Sequence, residues 1–439
     1  MGIFTDPVIM SVIVMALLSL LRVNILIAII AAGLTAGILS NLSLQGIIEL
    51  LVNGMGEHAE TALSYILLGA FAAAISYTGI TGLLVKKLLR VLRGRRSMVL
   101  LVIAGVASLS QNVIPVHIAF IPILIPPLLK VFDQMKVDRR GVASALTFGL
   151  KAPYLMIPAG FGLLFHEIIQ KEMANNGVDI SMGDIALSML IPGSGMMVGL
   201  LIAVLISYRK DRDYDSVGNY LTEAAAAEED EDSRFQYKHL FTLIGIVAAL
   251  VVQLLTGSII LGALTGIVWM FVFAVVPFKN GEKMMADGIS MMGMIAFIMM
   301  VASGYGYILK ETGAVNDLVE QSSAILGNSK PVIAFLLLLV GLLVTMGIGT
   351  SFGTIPILAV MYVPIASAAG FSPMAIAALI GTAGALGDAG SPASDSTLGP
   401  TSGLNADGKH HHIWDTCVPT FLHYNIPLFL FGWLAAIIL

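Results

Sequence analysis

Asp388 and Asp395 stand seven residues apart in "GALGDAGSPASDSTLGP" (384–400), a segment that also holds Ser391, Ser394, Ser396, Thr397, four glycines and two prolines. Hard oxygens gathered around one or two carboxylates suit a small alkali cation or a proton. A second oxygen-rich stretch, "GIGTSFGTIP" (347–356), contributes Ser351 and Thr354. Two further stretches break the surrounding apolar pattern, "SLSQN" (108–112) with Ser110, Gln111 and Asn112, and "TFGLKAPYLMIPAG" (147–160) with Lys151 and Pro153. No HExxH occurs, and the Ser and His residues form no nucleophile–base grouping, so no catalytic residue is assigned and the chain is read as a non-enzyme.

These four polar stretches must be held by elements of a membrane protein. Of the 439 residues, 57% are hydrophobic and only 12% charged, with a mean hydropathy of +0.92. A soluble domain carries about a quarter charged residues. Runs such as "PVIMSVIVMALLSLL" (7–21), "ILIAIIAAGLTAGILS" (25–40) and "PVIAFLLLLVGLLV" (331–344) suit spanning helices rather than the short alternating strands of a barrel. The fold class is therefore an all-α polytopic membrane protein. Partners are the lipid bilayer and a small-molecule solute, with no nucleic acid. The single cysteine, Cys417, excludes an intramolecular disulfide and reads as a buried thiol. The first apolar run lacks a basic leader region and a cleavage site, and reads as the first span.

Charge placement sets the topology. The connection 41–60 carries Glu49, Glu57 and Glu60 but no Lys or Arg, and a third span follows at about 61–82. The basic "VKKLLRVLRGRR" (85–96) and "KVFDQMKVDRR" (130–140) are placed in the cytoplasm. The apolar stretch 97–130 between them is short for two spans and has a polar middle, so it reads as a re-entrant hairpin. The charged segment 208–239 is a cytoplasmic linker, read as a solvated tether.

The two halves are related. A shift of 234 residues lays "LLVNG" (50–54) on "MMADG" (284–288) and Thr78-Gly79 on Thr312-Gly313. With a seven-residue insertion, Ser110…Pro115 falls on Ser351…Pro356, and "KAP" (151–153) then meets "GSP" (390–392) at an offset shorter by two residues. We expect residues 1–207 and 240–439 to be inverted repeats, each of five spans and one hairpin (about 97–130 and 331–369). That gives about ten transmembrane helices, two re-entrant hairpins and broken helices at the midplane. The acidic counterpart of the basic 83–96, at 310–323, and both termini then lie outside.

Unwinding a helix in lipid frees backbone groups that cost several kcal/mol each unless something binds them. Unwound carbonyls and side-chain oxygens suit Na+, and half-helix N-termini suit a carboxylate. Asp388, Ser394 and Asp395 are the expected cation- or proton-coupling residues, with Asp388, Asp395 and Ser351 as a candidate Na+ site. Three roles are open to Lys151: a permanent ammonium in place of a sodium ion, a titrating group, or a partner of the solute carboxylate. Gln111 and Asn112 read equally as ligands or as hairpin caps. Blander readings are preferred elsewhere. Gly33, Gly37, Pro122 and Pro126 serve packing, His117 packs or bonds between helices, and Met291, Met292, Met294, Met299 and Met300 face lipid or neighbours. His410, His411 and His412 read as solvated surface.

"SQNVIPVHIAFIPILIPPLL", "GTSFGTIPIL" and "GDAGSPASDSTLGPTSGLNADGKHHHIWDTCVPTFLHYNIP" resemble the NhaC-type Na+/H+ antiporter family and its amino-acid transporter relatives, over essentially the full chain. The resemblance implies a multi-pass protein of the bacterial inner membrane, a homodimer, and a scaffold domain beside a moving transport domain. It also implies a site enclosed by two hairpin tips and two broken helices, at Ser110, Gln111, Asn112, Ser351, Thr354, Asp388, Ser391 and Asp395. Lys151 departs from a simple sodium-site pattern and argues against two sodium ions per cycle. The sequence thus predicts an elevator-type secondary transporter of a small carboxylate-bearing solute, most simply an amino acid. Na+ or H+ is the coupling ion and no other cofactor is expected. Solute contacts are assigned to Ser110, Gln111, Asn112, Lys151, Pro153, Ser351, Thr354 and Ser391. Plain Na+/H+ exchange is the alternative; a channel or an intramembrane enzyme is disfavoured.

Overall fold

The structure is a computed structural model describing residues 6–439 except 22, 57–58, 81–95, 113–120, 215–235, 257, 315–328, 349 and 393. The side chains of Ser110, Pro122, Met291, Met294 and Met299, all of His117, the basic stretch 85–95, residues 315–323 and most of the linker lie outside the described residues. The described residues form helices and no strand. In chain order these are α1 (Pro7–Leu20), α2 (Ile25–Leu39), α3 (Leu44–Gly56), α4 (Ala59–Tyr77), α5 (Arg96–Asn112), α6 (Ile121–Gln134), α7 (Arg139–Met156), α8 (Phe161–Asn175) and α9 (Met182–Ile202). After the linker come α10 (Tyr237–Thr256), α11 (Ile259–Val272), α12 (Gly281–Glu311), α13 (Lys330–Ile348), α14 (Ser351–Ala368), α15 (Pro373–Ala385) and α16 (Asp395–Leu404). The last helix, α17, runs over His412–Ile438 and contains two π-type stretches, His412–Cys417 and Phe421–Asn425.

Among the described residues, four helices are long and apolar enough to cross a membrane, or five when the bent pair α7–α8 is taken as one span; six shorter apolar helices have 10–17 residues. Exposed Leu17, Ile27, Val52, Leu187, Ile206, Val268 and Leu430 give the outer faces the apolar cover that lipid requires. Side chains start the helices: Asn24, Asp138, Ser181, Ser258 and Ser372 each accept a backbone N–H of the first turn. One expectation is corrected here. Residues 44–56 are helical rather than part of a loop, because "LQGIIELLVNGMG" carries an apolar face that buries Ile47 and Gly54.

The helices fall into two interleaved groups. One comprises α1–α4 with α10–α12, the other α5–α9 with α13–α17, and they meet chiefly where α12 lies on α14 and α1 on α13. Inside the first group α12 crosses α3 and α4 at two glycine contacts. A Cβ on Gly54 would stand 2.8 Å from the Gly304 Cα, and one on Gly288 would stand 2.5 Å from the Ala70 Cα. The 234-residue offset carries each pair of positions onto the other. Small residues let the backbones approach this closely. Gly37, against Ile47, serves packing in the same way. Thr78-Gly79 and Thr312-Gly313 also match: each glycine has a positive φ at a helix end, and each threonine hydroxyl bonds back into its helix.

Candidate functional site

Asp388 sits where α15 has ended and α16 has not begun. Leu386 closes α15 by donating its N–H to the Thr382 carbonyl, and Gly387 turns the chain at φ +80°. A Cβ at Gly387 would lie 2.6 Å from the Met346 nitrogen and 2.9 Å from the Leu342 oxygen, so both conformation and space require glycine. The groups freed by this break find partners nearby. The Gly387 N–H goes to Asn425 Oδ1 (2.9 Å), the Ser391 hydroxyl to the Met346 carbonyl (2.9 Å) and the Ser396 hydroxyl to the Asp388 carbonyl (2.9 Å). Asn425 lies in one π stretch of α17, and His412, in the other, meets the Pro392 carbonyl at 2.9 Å, so α17 clasps the break at both ends.

The Asp388 carboxylate is fully buried. Its Oδ2 accepts the Ser351 N–H (2.9 Å), the Ser351 hydroxyl and the Lys151 ammonium; its Oδ1 accepts the Ser394 hydroxyl. Ser351 is the first residue of α14, so the positive end of that helix points at the carboxylate. Lys151 reaches across from the other half of the chain and is itself buried. Tyr154, one turn further along α7, bonds Ser351 Oγ through its hydroxyl (2.7 Å). Its ring stacks on Phe352 (5.5 Å) and meets Phe165 edge-on (5.1 Å); Tyr65 of α4 packs edge-on against Phe352 (5.6 Å). The charge pair is thus sealed by aromatic rings, one of them from the first helix group. Removing either member of such a pair strands a buried charge and costs about 3–5 kcal/mol.

The break in the first half is built differently. Helix α7 is intact through Met156, and α8 leaves it at 48° after Ile157–Gly160. Lys151 and Pro153 therefore lie within a helix and not on the unwound stretch, and the Pro153 carbonyl accepts the Ile157 N–H (2.9 Å). The freed Ile157 and Ala159 carbonyls accept the Asn112 side-chain amide at 2.9 and 3.0 Å. Asn112 ends α5, so the end of that helix closes this break with a neutral group; its Oδ1 is buried and has no hydrogen-bond partner among the described residues. Gly160, at φ +58°, would place a Cβ 2.6 Å from the Gln111 carbonyl.

Of the residues singled out in the sequence, Lys151, Ser351, Asp388 and Ser394 meet at one point. Ser391 and Thr354 are buried beside it, but Ser391 holds α13 and Thr354 bonds back to the Thr350 carbonyl (2.7 Å). Asp395 opens α16, half-buried, and makes no hydrogen bond with a described residue; Gln111 is buried next to Asn112. Among the described residues no group of three or more His, Cys, Asp or Glu could hold a metal ion.

Two expectations fail at the face where the linker begins. Residues 208–214 are no free tether. Tyr214 lies between the guanidinium groups of Arg139 (4.5 Å) and Arg212 (5.2 Å), and Arg212 pairs with Asp415 at 3.1 Å. Arg139, in the basic run placed in the cytoplasm, is wholly buried between Asp133 (3.0 Å) and Asp407 (2.7 Å). Burial raises the Asp407 carboxyl, but the Arg139 hydrogen bonds outweigh it and hold Asp407 below the usual carboxylate range. Of the three histidines only His411 is exposed as expected. His410 is 3% exposed, and burial, helped by Arg139 and Arg212, pushes it down to about 4. His411 caps α17, while His410 and His412 join Thr416 and Thr401 in a hydrogen-bonded series. Side chains at such close-packed corners carry no periodic signal in the sequence.

The interleaved helices, the paired breaks and the buried ion pair define a helical membrane transporter fold, and solved structures agree. The chain superposes on MtrF of Neisseria gonorrhoeae, from a class of antimetabolite efflux pumps, with a TM-score of 0.62 at 15% identity, covering 90% of this chain and 85% of that one. It superposes on the YdaH transporter of Alcanivorax borkumensis with a TM-score of 0.62 at 16% identity, covering 90% and 88%. The chain belongs to the Na+/H+ antiporter family, whose profile matches residues 145–433; a second Na+-H+ antiporter family profile matches residues 6–92. An uncharacterized membrane protein of Vibrio parahaemolyticus is 50% identical over 445 residues, 99% of this chain and all of that protein. A Bacillus subtilis protein named "Putative amino acid transporter YuiF" is 45% identical over 449 residues, again 99% of this chain and all of its own.

Proposed function

We propose that this protein is an ion-coupled secondary transporter of a small carboxylate-bearing solute, an amino acid, working by an elevator-type movement in the bacterial inner membrane as a homodimer. The observation that carries the reading is the buried Lys151–Asp388 pair at the meeting point of a hairpin tip and a helix break. The two glycine contacts exchanged by the 234-residue offset support an inverted duplication, and the interleaved helix groups supply a scaffold and a moving body. The Lys151 ammonium occupies the place beside Asp388 that a sodium ion would take, which favours H+ over Na+ as the coupling ion there. The amino-acid solute rests on the likeness to YuiF. The test is uptake of radiolabelled amino acids into proteoliposomes under an imposed pH or Na+ gradient. Accumulation driven by the pH gradient without Na+ is expected.

A second reading, Na+/H+ exchange without an organic solute, is favoured by the family itself and by Asp395, a half-buried carboxylate free of hydrogen bonds to described residues. Proton release on adding Na+, with no solute present and no amino-acid uptake, would replace the first reading with this one.

A further inference from the structure

The aromatic rings over the ion pair come from both helix groups, and one of them carries a polar atom with nothing to bond. Tyr65 of α4 is 0% exposed, and its hydroxyl has no hydrogen-bond partner among the described residues. Folded proteins leave few buried polar groups unpaired, because such a group has lost its water and gained nothing in return. A buried tyrosine hydroxyl normally finds a partner. The boundary between the helix groups does pair polar atoms elsewhere: the Lys310 ammonium of α12 donates to the Asn175 carbonyl at the end of α8 (3.1 Å). The packing around Tyr65 therefore holds its hydroxyl away from a partner.

Two contacts fix that place. The Tyr65 backbone is fastened to the first group, since four residues further along α4 a Cβ on Gly69 would stand 2.7 Å from the Gly288 carbonyl oxygen of α12. Its ring packs into the second group, where Phe352 meets it edge-on, stacks on Tyr154 and meets Phe165 edge-on (6.3 Å). Phe352 follows Ser351, whose N–H and hydroxyl hold Asp388. The Tyr65 ring thus presses, from across the group boundary, on the residue next to the carboxylate's own ligand. Burial of the rings favours this closed arrangement. The unpaired hydroxyl opposes it, because parting of the groups would let water reach that oxygen.

We propose that Tyr65 is the gate of the ion-pair site on the first helix group: its ring closes the site, and its unpaired hydroxyl weakens the closure so that the site reopens. Tyr65→Phe keeps the ring and removes the opposing group, so it should close the site more firmly. Tyr65→Leu removes both and should leave the site open. The gate's part in transport rests on the carrier reading of this same site; the closure itself does not, and the experiment keeps the two apart.

The closure is read from a thiol placed inside it. In full-length protein carrying Cys417→Ala and held in nanodiscs, Thr354→Cys puts a thiol at a buried position of α14, one turn from Ser351. Its rate of alkylation by N-ethylmaleimide measures how often the site opens. Adding Tyr65→Phe should slow alkylation about fivefold and raise the thermal midpoint by about 2 °C. Adding Tyr65→Leu should speed alkylation by about fivefold or more. An alkylation rate unchanged by Tyr65→Phe, a lowered midpoint in that variant, or a rate unmoved by Tyr65→Leu overturns the gate. In proteoliposomes given a radiolabelled mixture of amino acids, Tyr65→Phe should slow exchange about fivefold. Exchange at the wild-type rate, beside slowed alkylation, would overturn the gate's part in transport. Absence of wild-type uptake would remove the carrier reading, and the alkylation rates would still decide the gate.

Discussion

The two helix breaks solve one problem with different chemistry. Both free backbone groups in the interior, and both are closed by a residue at the end of a neighbouring helix and by a glycine in the left-handed region. At the first, the neutral amide of Asn112 binds two carbonyls, and nothing in that closure changes charge. At the second, the Ser351 amide and hydroxyl bind a carboxylate whose counter-charge, Lys151, comes from the helix that runs into the first break. A permanent closure needs only the hydrogen bonds. A closure that must respond to an ion needs a charged group within it, and that difference is why the proposed carrier mechanism puts coupling at the second break.

The sharpest way to break this comparison is to remove the counter-charge. Lys151→Ala should destabilise the protein by about 3–5 kcal/mol in thermal unfolding, and added Na+ should recover part of the loss by taking the ammonium's place. Asn112→Ala should cost less, about 1–3 kcal/mol, and should be indifferent to Na+. Equal losses, or Na+ acting on both variants, would erase the distinction between the breaks.

A backbone change should affect the two breaks alike. Gly387→Ala and Gly160→Ala each force a side chain into the left-handed region, at roughly 1–2 kcal/mol before the added clash with neighbouring backbone. Reduced folded yield in size-exclusion chromatography is expected for both. A tolerated substitution at either site would mean that its turn is not held as described.

A pH effect belongs to the second break's surroundings. His410 is depressed from the ordinary histidine value to about 4, so the unfolded chain takes up a proton there before the folded one does. Stability should therefore be full above about pH 6.5 and fall by a few kcal/mol at most as the pH drops toward 4. His410→Gln should flatten that part of the profile in a thermal-shift series; an unchanged slope would show that His410 is not the source. The smallest effect is expected at Asp395→Asn. That carboxylate acts on the buried Lys151 only through its charge, so the change should move folding stability by less than about 1 kcal/mol.

Much of this was legible in the sequence because membrane helices leave a coarse signal. The apolar runs and the polar break around Asp388 announce themselves as departures from a uniform pattern, and residues 330–368 form the two helices Lys330–Ile348 and Ser351–Ala368. Lys151 was conspicuous as a charge in an apolar stretch, but its place in an intact helix was not, since Pro153 and Gly160 both suggest unwinding and only the second marks it. Asn112 was visible as a polar residue, whereas its grip on Ile157 and Ala159 depends on how two helices cross. Tyr214, read as part of a solvated tether, and His410 and His412, read as solvated surface, are instead held by neighbouring side chains, as is Arg139. Charged and polar side chains pair in the interior there through contacts between residues up to 268 apart, and local composition cannot register such contacts.

The central claim is that coupling resides in the second break and not the first. Accumulation of radiolabelled amino acids in proteoliposomes under a fixed pH gradient, compared between Asp388→Asn and Asn112→Ala at matched folded protein, addresses it directly. Asp388→Asn should still exchange solute but no longer accumulate it, while Asn112→Ala should accumulate it at a reduced rate. Wild-type accumulation by Asp388→Asn would contradict the account.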